Sequence, residues 1–560
     1  MTNSTTLSAQ GTGVVSGVAY AEIVWVRPRP ALPTQPSRIS EENTEAEYER
    51  FVSAADIVAD RLEERSKSAD GAASEVLAAT AGMVRDRGWR KTIRKNIRGG
   101  MDAEYATVEA TDKFVNMFLA AGGVMAERTT DLKDIRDRVI AELRGEEEPG
   151  LPTISGEAVL CADDLSPADT AALDVNHYKA LVTELGGPTS HTAIIARQLN
   201  LPCVVAVGEA LTEFAAGISV LVDGSRGLIT TDIDPEEARV LVAESEERAA
   251  KVAQWVGPAQ TSDGHRVQLL ANVQDGNAAR LAAATQAEGI GLYRTEMSFL
   301  SAQDEPTVDE QASVYGKVFY AFPESKVVIR TLDAGSDKPI AFANMKEEEN
   351  PALGVRGLRI ARDNESLLTR QLDAIAQAAQ NRGENAPTWV MAPMVATASE
   401  AKWFADLCRE RNLVAGAMIE VPAAALMADK IMPHLDFVSI GTNDLTQYTM
   451  AADRLSPDLA YLTDPWQPAV LRLIQHTCIV GQETATAVGV CGEAAADPYL
   501  ACVLTGLGVN SLSAASTAIA GVGARLAETS LDVCQQAAEV AMQAEDAAAA
   551  REAVRELLNR

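Results

Sequence analysis

His191 lies in GGPTSHTAIIARQLNLP, residues 186–202, at the start of the helical run TAIIARQL. A helix N-terminus offers unpaired backbone N–H groups and the positive end of the helix dipole. A phosphate held covalently on His191 would be stabilised there. Gly186–Gly187 permits close backbone approach, and Thr189, Ser190 and Thr192 offer hydroxyls. His177, His265, His434 and His476 sit in no comparable setting. A hydrogen-bonded structural histidine is the competing reading of this one position.

A second set of groups is spread through the C-terminal half. Arg294, Arg330, Arg356 and Arg454 lie on or just after the ends of strand-like runs. The planar guanidinium fork suits phosphate and carboxylate. Glu420 and Asp444 offer hard oxygen ligands, and two carboxylates plus substrate phosphate oxygens are a usual Mg²⁺ arrangement. Cys491 sits in VGVCGE. Taken singly, each arginine or acid reads as half of a surface ion pair, and Cys491 reads as a small buried hydrophobe. Gathered on one rim, they describe a site for a small anion with phosphate and carboxylate.

The elements that must gather them are eight short runs: VQLLANV (267–273), GIGLYRT (289–295), KVVIRTLD (326–333), TWVMAPMV (388–395), VAGAMIEV (414–421), FVSIGTND (437–444), VGVCGE (488–493) and VNSLSAA (509–515). Helical runs lie between them. Eight strand–helix units predict a (β/α)₈ barrel, whose strand ends line one active site. Asn272, Arg294, Arg330, Asp333, Glu420, Asn443, Asp444, Cys491 and Glu493 all fall at the C-terminal ends of these runs.

Upstream, residues 157–230 alternate β-branched and helical runs, as an α/β domain does. Residues 11–26 supply its first strands. Between them, Arg38 to Glu148 contains no proline and is alanine-rich, with Phe51, Ala54, Ala55, Val58 and Leu62 at helical spacing. Glycines at 71, 99–100 and 122–123 are expected to break it into a helical bundle inserted in the α/β domain. Asp234–Pro235–Glu236–Glu237 opens a connector helix expected to run to Trp255.

The chain has 560 residues, 47% of them hydrophobic and 23% charged, the composition of a multidomain globular protein. A formal net charge of −30 argues against nucleic-acid binding. No apolar run reaches membrane-spanning length, so no membrane insertion is expected. The first residues, MTNSTTLSAQ, carry no leader pattern. Seven scattered cysteines without a CxxC pair fit a reducing, cytoplasmic compartment.

These motifs resemble the phosphoenolpyruvate–protein phosphotransferases, Enzyme I of the bacterial sugar phosphotransferase system. The likeness runs nearly end to end, from GVVSGVA near the N-terminus to the last barrel strand. GGPTSHTAIIAR is similar to that family's phosphohistidine motif, implying that His191 is phosphorylated. GIGLYRTE, VVIRTLDAGSDK and ENPALGVRGLRI imply Arg294, Arg330 and Arg356 as substrate ligands. MIEVPAAA implies Glu420 as a magnesium ligand. DFVSIGTNDLTQYTMAADR implies Asp444 as the other, with Asn443, Asp444 and Arg454 contacting substrate. VGVCGE implies Cys491 as the proton donor to the enolate carbon. Pro188, Ser336 and NSLSAAS depart from common family residues without removing a catalytic group.

The resemblance implies an α/β multidomain fold. Residues 1–33 and 149–232 would form a swivelling α/β phosphohistidine domain, and 34–148 an inserted helical subdomain that docks a carrier. Residues 233–260 would form a connector helix, and 261–560 a phosphoenolpyruvate-binding (β/α)₈ barrel. It also implies Mg²⁺, transfer to a histidine of the phosphocarrier protein HPr with release of pyruvate, and a homodimer through the barrel domain. Dikinases and synthases that share these segments need an ATP-binding domain for which the chain shows no glycine-rich loop. A carbon–carbon lyase would leave His191 unexplained, and a silent regulatory paralogue would not need His191, Glu420, Asp444 and Cys491 together.

Overall fold

The computed structural model describes residues 7–27, 29–68, 71–121, 129–152, 154, 156–165, 169, 173–187, 190–300, 302, 304–335, 340, 342, 348–380, 382, 386, 388–454, 456 and 459–559. The chain forms two compact units, Met1–Arg248 and Ala249–Arg560.

The first unit is built on an eight-stranded mixed sheet. Its strands are β1 (Ser8–Gln10), β2 (Thr12–Val15), β3 (Val18–Trp25), β4 (Ala158–Ala162), β5 (Tyr178–Thr183), β6 (Cys203–Val205), β7 (Ser219–Asp223) and β8 (Leu228–Thr230). The order is β1-β8-β7-β3-β4-β5-β6-β2. β3 pairs in parallel with β4 and antiparallel with β7. The N-terminal strands therefore belong to a sheet whose other members come after the helical stretch, β3 in its interior and β1 and β2 at its two edges. The β4 run is buried on both faces, which explains why AVLCA carries no polar alternation.

Between β3 and β4 lie the helices Thr44–Ser68, Gly71–Val84, Arg87–Arg98, Ala103–Ala121 and Thr129–Arg144. Phe51, Ala54, Ala55, Val58 and Leu62 are all buried, as their spacing predicts. Gly71 opens one helix and Gly99 closes another. The break expected at 122–123 lies outside the described residues. A further break falls at Asp86, which has no glycine. Its carboxylate accepts a hydrogen bond from Trp89 N at 2.8 Å and so starts the next helix. Arg138 ties this bundle to the α/β part of the unit. It donates to Asp134 at 2.7 Å on its own helix and to Asp169 at 3.1 Å beyond β4.

The connector helix is Pro235–Gln254, with Asp234 accepting from Glu236 N at 2.9 Å. The division between the units falls inside it.

The second unit contains a closed, all-parallel barrel of β9 (Gln268–Val273), β10 (Gly289–Arg294), β11 (Lys326–Arg330), β12 (Thr388–Ala392), β13 (Val414–Ile419), β14 (Phe437–Ile440), β15 (Ala487–Val490) and β16 (Ser511–Ala514). Ser511 pairs with Gln268 to close the ring. Each of the eight predicted runs supplies one strand, so the (β/α)₈ expectation holds. Several strands end earlier than their runs. The last part of FVSIGTND, for instance, turns into the helix Thr442–Met450. All seven cysteines are buried and unpaired. No helix among the described residues is long and apolar enough to cross a membrane.

Candidate active site

The C-terminal ends of the barrel strands carry a connected set of charges. β10 and β11 end in register on Arg294 and Arg330. Arg294 is exposed and forms no ion pair with a described residue. Arg330 is buried and pairs with Glu296 at 2.7 Å and Asp333 at 3.2 Å. Burial alone would depress its pKa, but these carboxylates outweigh that and raise it.

Arg356 lies on no strand. It sits between two short 3₁₀ turns, Pro351–Leu353 and Gly357–Arg362, on the long connection after β11. Its Nη2 and Nε reach the two oxygens of Asp333 at 2.9 and 3.3 Å. Its Nη1 reaches Asp444 Oδ1 at 3.3 Å. Asp444 also faces Arg454 Nη1 at 3.7 Å. One chain of alternating charges thus runs Glu296, Arg330, Asp333, Arg356, Asp444, Arg454.

Glu420 follows β13 and is fully buried. Its Oε1 accepts from Met394 N at 2.6 Å, while Oε2 has no hydrogen-bond partner. Burial, then the nearby Asp333 and Asp444 carboxylates, push its pKa up to about 8. An orphaned buried carboxylate oxygen beside other acids is the environment that a hard cation relieves. Among the described residues no cluster of three metal-ligating side chains occurs. Glu420 and Asp444 are the two hard-oxygen groups that could hold a cation together with substrate oxygens. A Cβ on Gly441 would lie 2.9 Å from Glu420 Oε2 and from Met418 Sδ, so a larger residue there would push both side chains aside.

Asn443 and Asp444 sit in the first turn of the helix Thr442–Met450 rather than on β14. Asn443 Oδ1 accepts from Glu493 N at 3.1 Å, which joins that turn to the end of β15. Cys491 follows β15 directly. Its backbone N–H donates to Ile440 O at 3.0 Å, and its carbonyl accepts from Asn272 Nδ2 at 3.1 Å. A Cβ on Gly492 would strike Thr442 Oγ1 at 1.9 Å, so only glycine lets this segment lie against the helix start. Burial pushes the Cys491 thiol up to about 11, against the lowering effect of Ser439 and Arg330. The group is therefore a protonated thiol at neutral pH.

In the first unit, His191 is the first residue of the helix His191–Leu199. Ser190 caps that helix, accepting from Ala193 N at 3.2 Å. Thr192 donates to Asp164 at 3.1 Å. Gly186 has a φ of +93°, a turn conformation suited to glycine. Pro188 and Thr189 of the same motif lie outside the described residues, as does Ser336 in the barrel.

Arg330, Arg356, Glu420, Asp444 and Arg454 thus come together, with Asn443 in the adjoining helix turn and Cys491 at the end of β15. Sequence reasoning placed Asp333 among the rim residues without giving it a role, and did not single out Glu296 or Tyr448. Glu296 follows two residues after Arg294, and Asp333 follows three after Arg330. Tyr448 lies one helical turn beyond Asp444, where Arg356 Nη1 donates to its hydroxyl at 3.4 Å. The i, i+4 spacing was its available signal.

Residues 248–531 match the PEP-utilising enzyme PEP-binding domain, residues 154–227 the PEP-utilising enzyme mobile domain, and residues 10–128 the PEP-utilising enzyme N-terminal domain. A phosphoenolpyruvate-protein phosphotransferase of Streptomyces coelicolor is 45% identical, covering 98% of this chain and 99% of that protein. One from Haloferax volcanii is 38% identical over 96% of this chain and 97% of its own. One from Bacillus subtilis is 33% identical over 91% and 92%. The barrel rim, the sheet-borne histidine helix and these end-to-end matches establish that the chain belongs to the phosphoenolpyruvate-protein phosphotransferase family, enzymes of phosphoenolpyruvate-dependent phosphoryl transfer.

Proposed function

We propose that this enzyme moves the phosphoryl group of phosphoenolpyruvate first to His191 and then to a histidine of the phosphocarrier protein HPr, releasing pyruvate. The observation that carries the reading is the charge chain from Arg330 to Arg454 on one barrel rim, with a protonated Cys491 beside it. In this reading Arg294, Arg330, Arg356, Asn443, Asp444 and Arg454 bind substrate. The exposed Arg294, with no ion pair among the described residues, is free to take up phosphate on arrival.

Mg²⁺, held by Glu420 and Asp444, would neutralise phosphate charge as the P–O bond breaks. Neutral His191 attacks phosphorus in line, and an N–P bond replaces the bond to the enol oxygen. The leaving enolate takes a proton from the Cys491 thiol at its methylene carbon, giving pyruvate. Arg330 and Arg356 are already aligned by Asp333, so little reorganisation is needed when the anion binds.

His191 and the rim belong to different compact units. Transfer in this reading needs the swivelling of a phosphohistidine domain (1–33 and 149–232) about a connector (233–260), with residues 34–148 receiving the carrier. The barrel domain (261–560) would also form a homodimer. The reaction is assigned to the cytoplasm, as the first step of sugar uptake through the phosphotransferase system.

The test is incubation with ³²P-labelled phosphoenolpyruvate, with and without Mg²⁺, for wild type and His191→Ala. Acid-labile, alkali-stable label that needs both the metal and His191, and that purified HPr then removes, is expected. No label on well-folded wild type would overturn the transferase mechanism. Label that HPr cannot chase would overturn the acceptor assignment alone.

A further inference from the structure

The opposite end of the barrel holds a second concave site. A cavity of about 400 Å³ opens there, lined by Gln268, Lys326, Trp389, Asn510 and Ser511. These residues stand at or beside the N-terminal ends of β9, β11, β12 and β16, away from the phosphoryl-transfer rim. The volume falls within the range of small-molecule sites.

The lining is rich in donors. Lys326 Nζ rests on the Trp389 ring, 4.0 Å from its centroid, and 5.6 Å from that of Phe437. It forms no ion pair or hydrogen bond with any described residue. Asn510 uses its carbonyl oxygen to accept from Val488 N at 2.8 Å, which leaves its NH₂ group uncommitted. The Trp389 indole N–H and the Gln268 side-chain NH₂ donate to no described residue. No carboxylate lines the cavity among the described residues. A half-buried ammonium with no counter-charge among the described residues is costly. Burial accordingly pushes the Lys326 pKa down to about 8, a cost that a bound anion would remove.

We propose that this mouth binds a small monocarboxylate with an apolar body. Lys326 would take the carboxylate, the Asn510 and Gln268 amides and the Trp389 N–H would supply further donors, and the Trp389 ring would form the apolar wall. One lysine matches one carboxylate, whereas a phosphate ester would bring nearly two negative charges. The site is independent of the phosphoryl-transfer reading, because it shares no residue with the rim.

The test is isothermal titration of the full-length enzyme with benzoate and with uncharged benzamide. Benzoate is expected to saturate at about 1–10 mM, the affinity of a ligand of that size, and benzamide to bind at least ~10-fold more weakly. Lys326→Met is expected to reduce benzoate affinity by at least ~10-fold, Lys326→Arg to retain most of it, and Arg294→Met on the rim to leave it unchanged. Equal benzoate affinity in Lys326→Met, loss of binding in Arg294→Met, or no saturable heat in wild type would each overturn the proposal. Should Lys326→Met fail to fold, Gln268→Leu is the second variant. A drop of at least ~3-fold is then expected, and an unchanged affinity would count against the site.

Discussion

Arg356 grips both oxygens of Asp333, with Nη2 at 2.9 Å and Nε at 3.3 Å, while its Nη1 serves Asp444 and the Tyr448 hydroxyl. The same Asp333 carboxylate takes Arg330 Nη1 at 3.2 Å. One acid therefore spaces two arginines. Replacing it by Asn removes the charge that aligns them. We expect Asp333→Asn to lower kcat/KM for phosphoenolpyruvate by ~10–100-fold, the value of one or two charge-assisted hydrogen bonds. Steady-state pyruvate release checks this, and an unchanged kcat/KM would mean the arginines hold their places without Asp333.

Glu420 has a folded pKa of about 8, raised from the ordinary 4.5 by burial and by neighbouring acids. The folded protein therefore holds a proton that the unfolded chain releases between those values. Stability of the metal-free enzyme should fall as pH rises from about 4.5 to about 8 and then level off. Glu420→Gln removes this loss, so its metal-free Tm at pH 8 should exceed that of wild type by at least ~2 °C. The same variant should lose any stabilisation by added Mg²⁺. Calorimetry at pH 5 and pH 8, with chelator and with magnesium, reads both effects.

Cys491 is a protonated thiol because burial drives its pKa to about 11. Its proton stays available across neutral pH, so pyruvate formation should not decline between about pH 6 and 9 through this group. Cys491→Ala is expected to slow pyruvate formation by ~10²–10⁴-fold, the range for a lost general acid. Binding of phosphoenolpyruvate should change little. A rate profile against pH for both proteins decides it, and near-wild-type turnover in the alanine variant would remove Cys491 from the mechanism.

Two glycines in barrel helices should respond in opposite directions. A Cβ on Gly506 would meet Cys534 O at 2.0 Å, so the helices Pro498–Gly506 and Leu531–Gln543 would have to separate. Gly506→Ala should cost ~1–3 kcal/mol through overpacking. A Cβ on Gly316 meets nothing within 4 Å, in the middle of the helix Val308–Ala321. Gly316→Ala should stabilise by ~0.4–1 kcal/mol. Chemical denaturation of the two variants measures both.

The helical insertion depends on Arg138, which is 1% exposed and bonded to Asp134 and Asp169. Arg138→Met leaves buried acids without their cation. A loss of ~3–5 kcal/mol is expected, seen as an early unfolding transition of the first unit in calorimetry. Wild-type melting of that variant would show the acids to be served by other groups.

What the chain's own order of residues determined is local. Short, near-continuous apolar runs set the eight barrel strands, because backbone pleat and burial act over five or six neighbours. Asp234 and Pro235 set the connector helix start for the same reason. The strand-end positions of Arg294, Arg330, Glu420 and Cys491 could be read as well, since a barrel turns strand ends into a rim. Tertiary structure decided what those residues do to one another. That Asp333 would align Arg330 with Arg356, that Tyr448 would meet Arg356, and that Glu420 would keep one oxygen unpartnered and its proton past neutrality depend on charges far apart in sequence. So does the ammonium of Lys326 on the Trp389 ring. Propensity acts through adjacent residues, whereas electrostatic coupling and desolvation act through space, and only the closed barrel brings those groups within reach.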